Sequence, residues 1–480
     1  MTTAGGRQDP GRSDAYFWSQ RRWWQKVGKT SIVTWGSTAL AFVGTIVAAR
    51  WLGRADYGSV VLAIATASFV TIFLDLTLTD GVVYYGFRAL ARGDRGELKT
   101  LLTAAFLVDL GVGIVVAGIL IALAVPLADI ASGGKLDPTL LRLAALVGLV
   151  TTLDSSTAAV LLIVGRPDLL GLMLAVANVT RLIAIFVAVQ LIGGPAAVVG
   201  AYVLAALTAS VTQLLLARRL GWKNWRRARP SRPVRSWLKP LVGFGMHSSL
   251  TTTFQSTEKA LVPIILGALA SPAAAGVYNV ALLPVTVVLN LLVPVRFLLL
   301  PEQARLAANG DFPALRKTVR GFTGIALALA IPAAVAGWFL LPVLLPALFS
   351  SEFASAVHPA QILLLAAVFQ LAIGSWSKLL PVAIGKPRLR SIMSGAYMAI
   401  SVALAALLAP SLGSTAGAIG TTAAVVSTSV AWWFLAERLL RREAARAARD
   451  QEAAGPVTPR AEIAVGQQRE SPGAEWRVPP

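Results

Sequence analysis

Long apolar runs, broken at intervals by Gly, Pro and clustered bases, organise this chain from about residue 30 to residue 436. A helix needs about 20 apolar residues to cross a bilayer. On that rule the pattern predicts twelve crossings, near 30–50, 58–87, 100–128, 139–164, 169–192, 196–217, 241–268, 276–300, 320–348, 359–384, 391–409 and 415–436. A membrane barrel would show short alternating segments instead. The expected fold is therefore an all-α polytopic membrane protein.

Two short stretches occur twice. VGRPDLLGLM from Val164 aligns without a gap on IGKPRLRSIM from Ile384, an offset of 220 residues, and RADYGSVVLAIA from Arg54 matches PAAAGVYNVALL from Pro272 at an offset of 218. Each pair joins equivalent helices in the sets 30–217 and 241–436. Six is an even number of crossings, so both sets enter from one side, and the repeat should be parallel with its pseudo-twofold axis along the membrane normal.

Composition agrees with a lipid solvent: 480 residues, 56% hydrophobic and 14% charged, against about 25% charged in soluble domains. Without cysteine, disulfides and thiolate metal sites are impossible, and two histidines, His247 and His358, are too few for an imidazole metal cluster. No metal or cofactor is expected. The net charge of +20 reads first as topology. With both termini on the cytoplasmic side of a plasma (inner) membrane, 35 of the 43 Lys and Arg residues fall on that side or in its loops. No recognition motif accompanies the charge, so nucleic acid is not an expected partner.

The charge places three further segments. Residues 1–29 form a polar N-terminal segment with no secretory signal. Within it Tyr16, Phe17, Trp23, Trp24 and Val27 face away from Arg21, Arg22 and Lys26, which suits an interfacial helix or an aromatic and basic anchor. Residues 218–240 hold nine bases and no acid, a linker suited to anionic lipid headgroups. The tail, 437–480, should be a short helical extension followed by disorder.

The stretches ARWLGRADYGSVVLAIA from Ala49, STEKALVPIILGALASPAAAGVYNVALL from Ser256 and GKPRLRSIMSGAYMAISVALAALLAPSLGSTAGAIG from Gly385 resemble the O-antigen flippase and polysaccharide transporter family. That family belongs to the superfamily of multidrug and toxin extrusion exporters and peptidoglycan lipid flippases. The resemblance spans about residues 30 to 440. It implies two six-helix lobes around a central cavity, alternating access, and transfer of a polyprenyl-pyrophosphate-linked oligosaccharide between leaflets, with envelope glycosyltransferases as neighbours.

An ionisable side chain at mid-membrane costs about 2.5–3.5 kcal/mol on insertion scales, so each one needs a partner, a wet cavity or a function. Asp75, Asp80, Asp109, Arg142, Asp154 and Arg181 stand in the first set; Glu258, Lys259, Arg296 and Lys378 stand in the second. Glu258 and Lys259 follow the polar run HSSLTTTFQST, and in the resembled family an acid and a base occupy this place. They are candidates for contact with pyrophosphate or sugars, or for structural ion pairs. Arg181 could hold a phosphate bidentately or neutralise Asp154. Arg296 and Lys378 could load substrate at the cytoplasmic mouth or simply snorkel. Arg142 reads as an anchor. Asp75, Asp80, Asp109 and Asp154 are candidates for ion coupling or hydrogen-bonded structural carboxylates.

No GxxxxGK[ST] motif is present, so ATP hydrolysis is not expected. The longest outer loops are about ten residues, too short for the catalytic loop of a membrane glycosyltransferase, so no enzyme activity is expected. Cation efflux and a membrane scaffold for envelope enzymes are the alternatives to flipping. Pro263, Pro284, Pro294, Pro332, Pro342 and Pro346 interrupt apolar runs of the second set, which is expected to bend more than the first.

Overall fold

The computed structural model describes residues 21–74, 78–166, 168–222, 233–248, 250–290, 310–374 and 387–453, with isolated positions between 299 and 307 and between 376 and 380. Among these the chain is helical and carries no strand. Ten helices among the described residues are long and apolar enough to cross a membrane.

The first expected crossing and the larger part of the second, expected over 58–87, are the halves of α1 (Arg21–Leu74), divided at Gly53, where φ 72° and ψ 174° leave the helical region. The aromatic and basic stretch from Arg21 runs directly into this helix. A turn at Leu78 precedes α2 (Thr79–Ala91). The third crossing, α3 (Arg95–Ala122), gives way at Leu123 to α4 (Ala124–Ser132). Pro126 explains that change: it lacks an N–H and its ring clashes with the Ala122 carbonyl four residues back.

The fourth crossing is expected as one helix and is two, α5 (Pro138–Thr151) and α6 (Asp154–Ile163). The fifth and sixth are α7 (Asp168–Leu191) and α8 (Gly194–Ala217). The seventh is described as α9 (Arg235–Ser248) and α10 (Leu250–Leu269), with residue 249 outside the described residues. Then come α11 (Pro272–Asn290), α12 (Phe312–Phe349), α13 (Val357–Ala372), α14 (Pro387–Leu412) and α15 (Ser414–Ala453).

Pro263, Pro284, Pro332, Pro342 and Pro346 lie inside α10, α11 and α12, which continue through them. The break at Thr152–Leu153 in the first half contains no proline. Proline is therefore a poor marker of where these helices stop, and Pro294 lies outside the described residues.

Equivalent positions of the two halves share local structure. Gly93 and Gly310 both have φ 71°, and the residues after them, Asp94 and Asp311, cap α3 and α12 by accepting from Glu97 N at 2.8 Å and Ala314 N at 3.0 Å. Such caps satisfy backbone donors at the start of a helix.

Burial divides the molecule by depth. One large core mixes both halves, with Leu62, Val116, Leu140 and Ile185 packed in the same cluster as Leu266, Tyr278, Phe322 and Leu363. Toward the end that carries Gly93, Gly165, Arg218 and Gly310, here the basic end, the halves have separate cores. One contains Leu98, Ile163 and Ala217; the other contains Leu315, Trp376 and Leu440. The halves are thus fused at the far end and part toward the basic end. α9 crosses this division: its Trp237 and Leu241 are buried in the core of the first half, although they fall at the boundary between the expected linker and the second set.

Candidate functional site

The far-end seam is built on the duplicated stretch. Gly58 and Gly276, 218 residues apart, face each other so closely that a methyl on Gly58 would lie 2.0 Å from the Pro272 carbonyl oxygen, and one on Gly276 would lie 2.9 Å from Gly58 Cα. Only glycine permits this backbone approach. Around it Arg50 donates to the Ala347 carbonyl at 2.9 Å, the Arg54 N–H donates to Glu352 Oε2 at 3.2 Å, and Phe349 meets Phe42 and Phe353 at ring-centroid distances of 6.0 Å.

Beneath the seam lies a cavity of about 330 Å³ between the halves. Tyr57, Ile64 and Ser68 of α1 and Tyr202 of α8 form one side; Ser256 and Lys259 of α10 and Asn279 of α11 form the other. The Tyr57 hydroxyl donates to Asn279 Oδ1 at 2.7 Å, tying the two sides together. Both residues stand in the repeated stretches, so that repeat carried a signal for the cavity wall that was read only as topology.

Lys259 is exposed to this space. Arg181 stands behind the wall, its guanidinium carbon 5.2 Å from the Tyr202 ring centroid and its Nε beside Gly44 of α1. Stacking on an aromatic face holds a guanidinium while leaving its edge donors available. Among the described residues neither base is in an ion pair. Arg181 therefore does not neutralise Asp154. No Asp or Glu is among the described residues lining the cavity.

Glu258 points elsewhere. Adjacent helical residues diverge by about 100°, and this turn sends Glu258 into the second half, where it is 4% exposed. Its Oε1 accepts from Ser401 Oγ of α14 at 2.9 Å and Thr421 Oγ1 of α15 at 3.2 Å, and Tyr397 also bonds to it. Thr421 in turn meets the Tyr278 hydroxyl at 2.9 Å. A buried carboxylate held by several hydroxyls joins α10, α11, α14 and α15. Glu258 does not line the cavity.

Two acids of the first half converge on the start of α6. Asp109 of α3 is buried, and its Oδ2 accepts from the Ser156 N–H at 2.8 Å. Asp154 accepts from Ser210 Oγ at 2.6 Å, and Gln213 Nε2 bonds to the Asp154 carbonyl and to Thr157 Oγ1. Thr79, at the start of α2, donates to the Ser155 carbonyl at 3.0 Å. Negative charge is favoured at a helix N-terminus, where free N–H groups point outward. Ser210, Gln213, Ser401 and Thr421 escape a search for charge because hydroxyls and amides barely interrupt an apolar run.

Arg142 is exposed on α5. Asp75, Arg296, Lys378 and the side chain of Asp80 lie outside the described residues. Among those described, no three His, Asp or Glu residues gather as metal ligands. What the geometry offers is a cavity whose charged neighbours are cationic, suited to charge-assisted hydrogen bonds with an anion.

Comparison with known proteins places this architecture. An inward-facing structure of a multidrug resistance MATE family transporter of the MOP superfamily matches with a TM-score of 0.69 at 14% identity, covering 86% of this chain and 98% of that one. The lipid II flippase MurJ in an inward closed conformation matches at 0.67 and 13% identity, covering 87% and 90%. An outward-facing MATE family structure reaches 0.56 at 14% identity, covering 87% and 96%. No curated protein matches by sequence. These likenesses describe the fold. A family model described as polysaccharide biosynthesis protein matches residues 23–301, more than half the length, and the chain belongs to that family.

Proposed function

We propose that the protein is an alternating-access transporter that carries a polyprenyl-pyrophosphate-linked oligosaccharide from the inner to the outer leaflet of the plasma membrane for cell-surface polysaccharide synthesis. The observation that carries this reading is the interlobe cavity with Lys259 exposed in it and Arg181 behind Tyr202, both without an ion-pair partner among the described residues. Cations without an ion-pair partner beside a cavity favour an anionic headgroup, and a guanidinium matches phosphate geometry. The membership in a polysaccharide biosynthesis family and the flippase among its structural neighbours support the same cargo.

In this reading twelve crossings form two parallel six-helix lobes, and the basic end is cytoplasmic because that side of a membrane protein holds the excess of Lys and Arg. Separate cores at that end and the shared core at the other support a state open to the cytoplasm. The better match to the inward-facing MATE structure than to the outward-facing one supports that state. Arg296 and Lys378 would receive the pyrophosphate at the cytoplasmic mouth. Asp75, Asp80, Asp109 and Asp154 would change environment as the mouth closes, as ion coupling requires. Cation efflux is disfavoured because the described residues lining the cavity include no carboxylate.

Mass spectrometry of polyprenyl-linked lipids in a strain depleted of the protein tests the reading, with leaflet location assigned by an impermeant sugar-oxidising probe. A glycosylated polyprenyl lipid accumulating on the inner leaflet is expected. An unchanged lipid pool, in a strain without a redundant transporter, would favour efflux or scaffolding.

A further inference from the structure

The basic end of the second half holds a cluster with more cations than acids. Glu437 of α15 is paired with Arg316 and Arg320 of α12 and with Arg441 one turn further along α15, the last two at 3.2 and 3.8 Å. All three reach the same oxygen, Oε1, while Oε2 is buried without a partner. Three guanidinium groups against one carboxylate leave two positive charges. Each guanidinium has five N–H donors, far more than one oxygen can accept, and Arg316 Nε is buried with no partner at all. The side chains of Arg320 and Arg441 are 50% and 74% exposed, so their remaining donors face outward.

An apolar strip continues from this cluster along the membrane-crossing part of α15. Val430, Trp433, Glu437 and Arg441 follow helical i, i+3, i+4 spacing and share one face. Val430 is 47% and Trp433 40% exposed, and Trp433 rests on Trp376 with ring centroids 4.9 Å apart. A cationic rim above an exposed aromatic and aliphatic strip, at the end of a membrane span, has the two-part chemistry of a phospholipid.

We propose that Arg316, Arg320 and Arg441 hold the phosphate of an anionic membrane lipid whose acyl chains lie along Val430 and Trp433. Glu437 keeps the three arginines together, so little side-chain entropy is lost when the phosphate arrives. This site lies on the outer face of the second half, and its test does not depend on what the cavity carries.

The test is native mass spectrometry of the full-length protein in detergent, incubated with phosphatidylglycerol or phosphatidylcholine, with inorganic phosphate as a competitor. An arginine near an anionic lipid surface contributes on the order of fivefold in affinity, so Arg441→Gln should lower phosphatidylglycerol retention about fivefold and Arg320→Gln/Arg441→Gln about 25-fold. Arg441→Gln alone alters an exposed side chain, which keeps the test decisive where the double variant does not fold. Phosphatidylcholine should be retained poorly by both forms. Equal retention of the two lipids, or retention unchanged in Arg441→Gln, would overturn the proposal. Displacement of the lipid by inorganic phosphate alone would also overturn it, by showing a site that reads phosphate without a tail.

Discussion

The two halves interrupt equivalent helices and hold the interruptions together differently. In the first half the fourth crossing stops at Thr152–Leu153, and a carboxylate from the third, Asp109, takes the freed Ser156 N–H. In the second half the helix that corresponds to it, α13, ends at Ile373, and a hydroxyl from α12, Thr323, bonds to the Ala372 carbonyl at 3.0 Å while accepting from Trp376 Nε1 at 2.8 Å. The breaks are about 220 residues apart in sequence, close to the offset of the duplicated stretches. Both lie where the shared core gives way to the separate ones. The difference teaches what the acids of the first half do: Asp109 and Asp154 are engaged with backbone and hydroxyl groups around α6. Arg181 is left without a counter-ion among the described residues, although the acids within the apolar runs of its half, Asp75, Asp80, Asp109 and Asp154, outnumber the bases there, Arg142 and Arg181.

The strongest way to break this comparison is to remove the seam on which both halves turn. Gly58→Val places side-chain carbon where the Pro272 carbonyl stands, a clash that no rotamer relieves. It should cost about 3 kcal/mol or more and reduce flipping more than about tenfold, measured by thermal unfolding in detergent and by the leaflet assay. Next comes the charged bridge. Asp109→Ala leaves the Ser156 N–H buried without this acceptor and should cost about 2–3 kcal/mol, whereas Asp109→Asn, which keeps an acceptor oxygen, should cost about 1 kcal/mol. The neutral bridge is the weaker arm: Thr323→Val should cost about 1–2 kcal/mol through its two lost hydrogen bonds. A Thr323→Val effect larger than that of Asp109→Ala would reverse the order that charge predicts.

The all-helical membrane fold was legible because a bilayer demands continuous apolar length, and the duplicated stretch was visible because Gly58 and Gly276 both stand at a close backbone contact. The break in the fourth crossing was hidden by the apolar residues on both sides of TTLDSST, although Asp154 amid Ser and Thr is a helix-start signal. Gly93-Asp94 and Gly310-Asp311 formed a third repeated stretch, visible in sequence and left unread. Periodicity showed that Glu258 and Lys259 diverge. Which one meets the cavity depended on α14 and α15 supplying Ser401 and Thr421 from more than 140 residues away, and no local pattern encodes that. α10, α11 and α12 run on through their prolines because a helix packed against others can continue through a missing backbone donor.

The central claim is that two cations at the interlobe cavity, neither in an ion pair among the described residues, carry an anionic, lipid-linked cargo. The most direct measurement is the inner-leaflet level of glycosylated polyprenyl lipid in cells whose only copy of the protein is the Lys259→Gln/Arg181→Gln double variant. Folding is checked by its thermal unfolding. Lys259 lines the cavity, Arg181 stands behind its Tyr202 wall, and neither is in an ion pair among the described residues, so the variant should fold and unfold like the parent while the lipid accumulates at least about tenfold through loss of charge-assisted contacts. A correctly folded double variant with a parental lipid pool would contradict the account.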